Sequence, residues 1–419
     1  MNNNSLILGQ DHIYSLDCYK TKVNNNVLVV GTAGSGKTRG LVIPNILQAT
    51  GSYIISDPKG QLYREYAGYL AKQGYVIKVL DLIEPKRSTL YNFFSYIKTD
   101  RDIVKAGRML TKCLCKSNEG TVADPFWDES AEMLLTSIIS YLVHNRPMQD
   151  RTIRNICSLL MQANVDENFS DSKTHLDNLM ESATRQDLNS FTWRQYSKFR
   201  VGAGKTLKSI LISLNTRFKS LDFEEIHKMT AKDNMHIQNI GAEKTAVFVI
   251  ISDMERSMDP LANLFYSQCL EVLCTTADRV HGGKLPYDVR FILDDFATNC
   301  VIDDFPKKIS AFRSRGISTM LMLQAEPQLE ACYPREGNII IGNCDNYIYL
   351  GGNDLDTAES IAKRCNIPTD EILNMPIGSC WIIRRGQKPV MSNVIDLDDY
   401  IKKNGFIIPK YTKPEFKYR

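Results

Sequence analysis

No hydrophobic run in this sequence is long enough to cross a membrane. The longest apolar stretch, residues 133–143, is about half of the ~20 residues a membrane helix needs, and Thr136, Ser137 and Ser140 interrupt it. The N-terminus (Met1, Asn2, Asn3, Asn4) has neither a basic segment nor an apolar one behind it, which excludes a secretory signal. The 11 cysteines are odd in number, include no C-x-x-C pair, and do not cluster with any of the six histidines at zinc-motif spacing; no H-E-x-x-H occurs. Cys113 and Cys115 are the one close pair, and a C-x-C in a helix points its thiols to different sides. The pattern is that of reduced, mostly buried cytosolic thiols. Charge of one sign is also scarce: 51 Lys+Arg against 48 Asp+Glu leaves +3, so any nucleic-acid surface has to be local. There is no internal repeat or low-complexity segment, and 419 residues with 43% hydrophobic content predict two or three globular domains.

What is present is an alternation. Short β-branched or apolar runs occur at 27–30, 53–56, 75–80, 246–252, 289–293, 319–323 and 347–350, several followed by turn residues and a helical pattern. This predicts an α/β fold around a parallel, doubly wound sheet. Between about 98 and 238 the period changes to 3.6, as in 127–143 and 206–218, with no convincing strand. An all-α domain inserted at 98–239 is expected, splitting the α/β domain into 1–97 and 240–419, with 411–419 as an irregular tail.

Gly31, Thr32, Ala33, Gly34, Ser35, Gly36, Lys37 and Thr38 match G-x-x-x-x-G-K-[ST] in full, after a strand and before an apolar helical segment. The glycines let backbone N–H groups curl around phosphate oxygens, and the following helix start adds partial positive charge. Lys37 reaches the β- and γ-phosphates of ATP in this arrangement, and the Thr38 hydroxyl ligates Mg2+. Pro44 is expected at the helix start or as a distortion of it. A second string, Gly202 to Thr206, fails because Phe199 holds the first glycine position; it reads as a turn with Thr206 capping the helix 207–218.

A P-loop hydrolase also needs a carboxylate at the end of a neighbouring buried strand. The run 289–293 ends in Asp294, the expected Mg2+-side residue, and Asp295, the expected water-orienting base. The next strand ends in Gln324, whose amide is placed to sense the γ-phosphate. Before it, Arg313 and Arg315 offer guanidinium groups to a neighbouring subunit's site; an arginine finger is worth about 10³ to 10⁵ in rate.

With these residues the chain resembles the type IV coupling proteins, the TraG/TraD-like ATPases of conjugation and type IV secretion. Ile43-Pro44-Asn45 looks like the family's P-N, and Ser56-Asp57-Pro58-Lys59-Gly60 with Leu62-Tyr63 is similar to its D-P-K-G-E-L-Y. Val79-Leu80-Asp81 with Asn92 resembles its V-L-D-P and N-P segments, and Asp124-Pro125-Phe126-Trp127 its D-P-F-W helix. Gly342-Asn343-Cys344, Gly351-Gly352-Asn353-Asp354 with Thr357-Ala358, and Arg385-Gly386-Gln387-Lys388-Pro389 match further stretches. The resemblance implies a RecA-like nucleotide-binding domain, an all-α domain facing the cytoplasm, and a homo-hexameric ring with ATP sites between subunits. It puts Asp294 and Asp295 at the Walker B pair, Gln324 on the glutamine strand, and Arg313 at the arginine-finger position. Asp295 stands where the family uses glutamate, which shortens the reach to water. The family's membrane helices are not in this sequence, so a missing anchor or a partner is expected to hold it at the cytoplasmic face of the membrane; the acidic C-terminal extension of some members is also absent.

Between 185 and 219 lie Arg185, Arg194, Lys198, Arg200, Lys205, Lys208, Arg217 and Lys219 against one acid, Asp187, interleaved with Phe191, Trp193, Tyr196 and Phe199. Basic side chains neutralise phosphates and aromatics stack on unpaired bases, so a nonspecific surface for single- or double-stranded DNA is expected at Arg194, Lys198, Arg200, Lys205 and Lys208. The alternative is a solvated basic face whose aromatics pack inward. Two functions follow: an ATP-driven motor or gate bringing DNA with its relaxase (the relaxosome) to the secretion channel, or a platform that recruits protein cargo and uses ATP to order its ring.

Overall fold

The computed structural model describes residues 4–114, 125–163, 173–184, 187, 189–202, 204–294, 296 and 301–409. In chain order its strands are β1 (Ser5–Gly9), β2 (His12–Ser15), β3 (Val27–Val30), β4 (Ser52–Asp57), β5 (Val76–Asp81), β6 (Thr245–Ile250), β7 (Val289–Leu293), β8 (Ile317–Leu323), β9 (Asn346–Tyr349), β10 (Ser379–Arg384) and β11 (Val390–Asn393). The chain divides into two compact units, residues 1–83 with 236–254 and 269–419, and residues 84–235 with 255–268.

The first unit is α/β. Its 9-stranded sheet has the order β11-β10-β9-β3-β8-β7-β4-β6-β5, and β1 pairs with β2 in a separate hairpin. From β9 to β5 every pairing is parallel, whereas β10 and β11 run antiparallel at one edge. Strands covered on both faces need apolar residues at every position rather than at alternate ones. That is why Val27–Val30 and Val289–Leu293 read as unbroken apolar runs, and both are buried along their whole length. The helix Gln61–Lys72 lays Leu62, Tyr66, Ala67, Tyr69 and Leu70 into the same core as Tyr53, Ile55 and Phe248. Four strands were not expected from the sequence: β1, β2, β10 and β11. β2 and β11 alternate half-buried and exposed residues over four positions, too short a stretch for the period to declare itself. The family-like stretch Arg385–Pro389 is the turn between β10 and β11, with Gly386 at φ +76°.

The second unit contains only helices and turns among its described residues, including Asp100–Leu114, Pro125–Asn145, Ile153–Gln162, His175–Thr184, Phe191–Arg200, Gly204–Phe218 and Glu224–Met229. The helix Pro125–Asn145 is central: Leu134, Leu135, Ile138 and Ile139 are fully buried. Its polar residues are satisfied inside, Ser137 Oγ donating to Leu134 O at 2.7 Å and Ser140 Oγ lying 2.7 Å from Thr192 Oγ1. Gly107 permits the neighbouring helix to approach, since a Cβ there would stand 2.3 Å from Thr136 Oγ1.

The bounds of this unit differ from the expected 98–239. Residues 84–97 join it because Tyr91, Phe93 and Phe94 are buried in it: the Tyr91 ring packs edge-on to Phe265 at 5.1 Å and its hydroxyl donates to Gln268 at 2.7 Å. The unit boundary therefore falls inside the helix Asp259–Val280, where no composition change marks it. The helix expected to begin after a Thr206 cap begins at Gly204. Asp124 and Arg185 lie outside the described residues.

Candidate functional site

The loop 31–36 leaves the C-terminal end of β3, which has parallel neighbours on both sides. Gly31 N donates to Leu323 O of β8 at 3.1 Å and Thr32 N to Gly351 O after β9 at 3.2 Å, so the loop is pinned to both neighbours. Gly36 turns the chain into the helix at φ 91°, a conformation glycine adopts without strain. The first turns, Lys37–Val42, are π-helical, with Ile43 N donating to Thr38 O; Pro44, which has no N–H to give, sits in the first turn of the α-helix Ile43–Leu47. Asn45 explains the P-N pair structurally: it is buried, exchanges hydrogen bonds with Ile7 N and O at 3.1 and 2.8 Å, and so clamps β1 to this helix.

Lys37 is 9% exposed, and its ammonium donates to the Gly31 carbonyl and, at 3.0 Å, to that of Thr32. Ser35 Oγ is buried inside the loop without a hydrogen-bond partner. A buried hydroxyl left so costs about 1 to 3 kcal/mol, and an anion's oxygen held by this loop would supply the missing acceptor. Thr38 Oγ1 donates to Asp294 Oδ2 at 3.4 Å. The motif threonine and the strand-end acid thus meet although 256 residues separate them. Sheet order achieves this: β7 is separated from β3 by β8 alone, and parallel strands deliver their C-terminal ends to one edge, where open α/β sheets bind ligands.

The D-P-K-G segment lies at the same edge. Ser56 Oγ donates to Asp294 O at 3.5 Å, while Asp57, buried, accepts from Tyr63 N at 2.8 Å and holds the start of the helix Gln61–Lys72. Burial raises the Asp57 carboxyl above its ordinary value against the opposing effect of backbone N–H groups from residues 61 to 63. Gln324 follows β8 and is exposed, its N–H donating to Gln328 Oε1 at 2.8 Å. Asp295 lies outside the described residues.

Arg313 is not brought to this edge. It precedes the N-terminal end of β8 and donates to Cys18 O at 2.7 Å; seven strand residues rising about 3.3 Å each put it on the order of 20 Å from the loop. Within one chain it cannot reach the phosphates.

A cleft of about 600 Å³ adjoins the loop, formed by residues 32–36, the G-G-N segment after β9, and two stretches that sequence reasoning missed, Leu373 with 375–378, and 394–396. Such a volume lies within the usual range for small-molecule sites. Met375, Pro376, Ile377 and Val394 give it an apolar wall beside the polar loop. Their one signal in sequence is an apolar triplet in a turn, Met375-Pro376-Ile377, too common to single out. Asp354 closes the G-G-N-D segment as a helix cap, accepting from Thr357 N at 2.8 Å.

In the helical unit Arg194, Lys198 and Lys205 are exposed and Lys208 half-buried. Arg200 pairs with the buried Asp177 at 2.9 Å. Tyr196 and Phe199 are buried, the Tyr196 hydroxyl donating to Asp177 at 2.9 Å, whereas Phe191 and Trp193 are half-buried.

The family model for conjugative DNA transfer by the type IV secretory system matches residues 3–392. The chain belongs to this family. Among curated relatives, protein VirD4 of Rhizobium rhizogenes is 21% identical over 344 residues, covering 80% of this chain. The chain spans about half the length, 48%, of that relative. Among solved structures, the bacterial conjugative coupling protein TrwBdeltaN70 in an unbound form superposes with a TM-score of 0.69 at 14% identity, covering 95% of this chain and 90% of that one. The plasmid coupling protein TrwB in complex with ADP and Mg2+ gives 0.64 at 16% identity, covering 88% and 85%. The coupling-protein fold, a RecA-like P-loop NTPase unit with a helical unit, is therefore that of this chain. Among the described residues no helix is long and apolar enough to cross a membrane.

Proposed function

We propose that this chain is an ATP-driven coupling component that recruits a relaxase–DNA substrate to a type IV secretion channel at the cytoplasmic face of the membrane. The ATP-driven part is carried by the meeting of Thr38 with Asp294 at 3.4 Å beside a loop holding a buried ammonium and an orphaned serine hydroxyl, and the coupling part by the family match over residues 3–392. Binding of ADP and Mg2+ by the structurally similar TrwB supports the same ligands here. Residues 31–38 bind the phosphates through backbone N–H groups, Lys37 neutralises the β- and γ-oxygens, and Thr38 with Asp294 would hold Mg2+. Bound there, that ion would neutralise developing negative charge on the phosphate oxygens. Asp295 orients a water whose oxygen attacks the γ-phosphorus as the bond to the β,γ-bridging oxygen breaks, giving ADP and phosphate; Gln324 senses the γ-phosphate. Arg313, remote from its own loop, acts on the site of the next subunit in a hexameric ring.

The exposed Arg194, Lys198 and Lys205, with Lys208, form the DNA-facing surface. The burial of Tyr196 and Phe199 and the pairing of Arg200 with Asp177 take these three residues out of base stacking and phosphate contact, so the surface rests on the exposed basic side chains; the second reading is a protein-cargo platform. ATP hydrolysis with and without single-stranded and duplex DNA separates the two: stimulation by DNA supports the motor, and nucleotide binding indifferent to DNA supports the platform. Lys37→Ala should lower turnover at least about 100-fold, because it removes a charge aimed at the transferring group; activity that survives it would contradict the site.

A further inference from the structure

We infer that Cys157, Asp222 and His227 form a site for one divalent transition-metal ion of the zinc class in the helical unit. Cys157 lies on the helix Ile153–Gln162, Asp222 follows the 3₁₀ turn Lys219–Leu221, and His227 lies on the helix Glu224–Met229. One ligand atom from each, sulfur, imidazole nitrogen and carboxylate oxygen, lies within 4.8 Å of the other two. Tetrahedral zinc with bonds of about 2.0 Å to nitrogen and oxygen and about 2.3 Å to sulfur sets edges of roughly 3.3 and 3.6 Å. The His227 Nε2 to Asp222 Oδ1 distance, 3.2 Å, already equals the first of these.

The independent observation is at His227. Its residue is 8% exposed, and Nε2 is buried with no hydrogen-bond partner despite the nearby carboxylate. A buried ring nitrogen that sits 3.2 Å from a carboxylate oxygen without hydrogen-bond geometry, in a cluster with a thiol, is placed as a ligand and not as a hydrogen-bonding group. The donor set fits one class of ion: thiolate and imidazole favour zinc and its neighbours, whereas magnesium takes oxygen ligands. The Asp222 side chain is 48% exposed, so the fourth position opens to water or to a partner's side chain. The ion would tie the helix carrying Cys157 to the segment 219–229.

The test uses the full chain, stripped with chelator and titrated with Co2+ as a spectroscopic stand-in for Zn2+. One Co2+ per chain with a thiolate-to-cobalt charge-transfer band in the near ultraviolet, displaced by Zn2+, is expected. Cys157→Ser should abolish the band, and Asp222→Asn should weaken binding at least about tenfold, the lower end of what even outer-shell partners contribute. Should Cys157→Ser fail to fold, Asp222→Asn, at a half-exposed position, carries the test alone. No thiolate band, a band that survives Cys157→Ser, or wild-type affinity in Asp222→Asn overturns the assignment.

Discussion

The two units hold their chemistry in different ways. In the α/β unit eight consecutive residues, 31–38, form the loop proposed to hold phosphate, and the acid that meets it is delivered by a strand two places along a parallel sheet. In the helical unit residues 157, 222 and 227 come from three separate elements and share no local pattern. A parallel sheet collects strand ends at one edge, so its functional groups sit where a run of apolar residues stops. A helical bundle offers no such edge, and its sites arise wherever side chains happen to converge in the packing.

That contrast can be tested in several ways. The largest effect is expected at Arg313, which the fold keeps away from its own loop. Arg313→Ala should reduce turnover about 10³-fold under conditions where rings assemble, with ADP binding unchanged in calorimetry. A loss of ADP binding in the isolated chain would instead return Arg313 to its own site. In the helical unit Gly107→Ala forces a Cβ against Thr136 and should cost about 1 to 3 kcal/mol by denaturant titration, with nucleotide affinity preserved. Equal loss of both would show that the two units do not keep their tasks apart.

Smaller effects are expected at exposed or capping positions. Arg194→Ala and Lys198→Ala should each lower the slope of log affinity for DNA against log salt by about one, similarly for all sequences. An unchanged slope favours the protein-cargo reading. Asp57 supplies a pH signature. Its folded-state carboxyl lies above the ordinary 3.8, chiefly through burial, so the folded chain binds that proton more tightly than the unfolded one. Its contribution to stability is therefore greatest below pH 3.8 and declines as pH rises through the folded value. Asp57→Asn should remove that decline while retaining an acceptor for Tyr63 N; a stability difference from wild type that does not change with pH would contradict the burial effect.

The legibility of the sequence follows the same division. Six of the seven expected strands, all but the edge strand β5, are buried along their whole length and so read as apolar runs, and the meeting of Thr38 with Asp294 was legible because a loop motif and a strand end are local signals. β2 and β11 were hidden by brevity and alternation. Asn45 and Asp57 could be read as parts of motifs, but their work as a strand clamp and a helix cap depends on Ile7 and Tyr63, which no local pattern links to them. The aromatics at 196 and 199 show the converse: their spacing suited a stacking surface as well as a core, and burial decided for the core. The helical boundary at 84 was missed because Tyr91, Phe93 and Phe94 lie in 3₁₀ and irregular segments that carry no 3.6-residue period.

On the proposed reading, the P-loop edge becomes an active site when subunits assemble on DNA. Its most direct test is the rate of ATP hydrolysis per chain measured against protein concentration, with and without DNA, for wild type and Lys37→Ala. A steeper than linear rise that DNA enhances and that Lys37→Ala abolishes is expected. A rate per chain independent of both concentration and DNA, or one that survives Lys37→Ala, would contradict it.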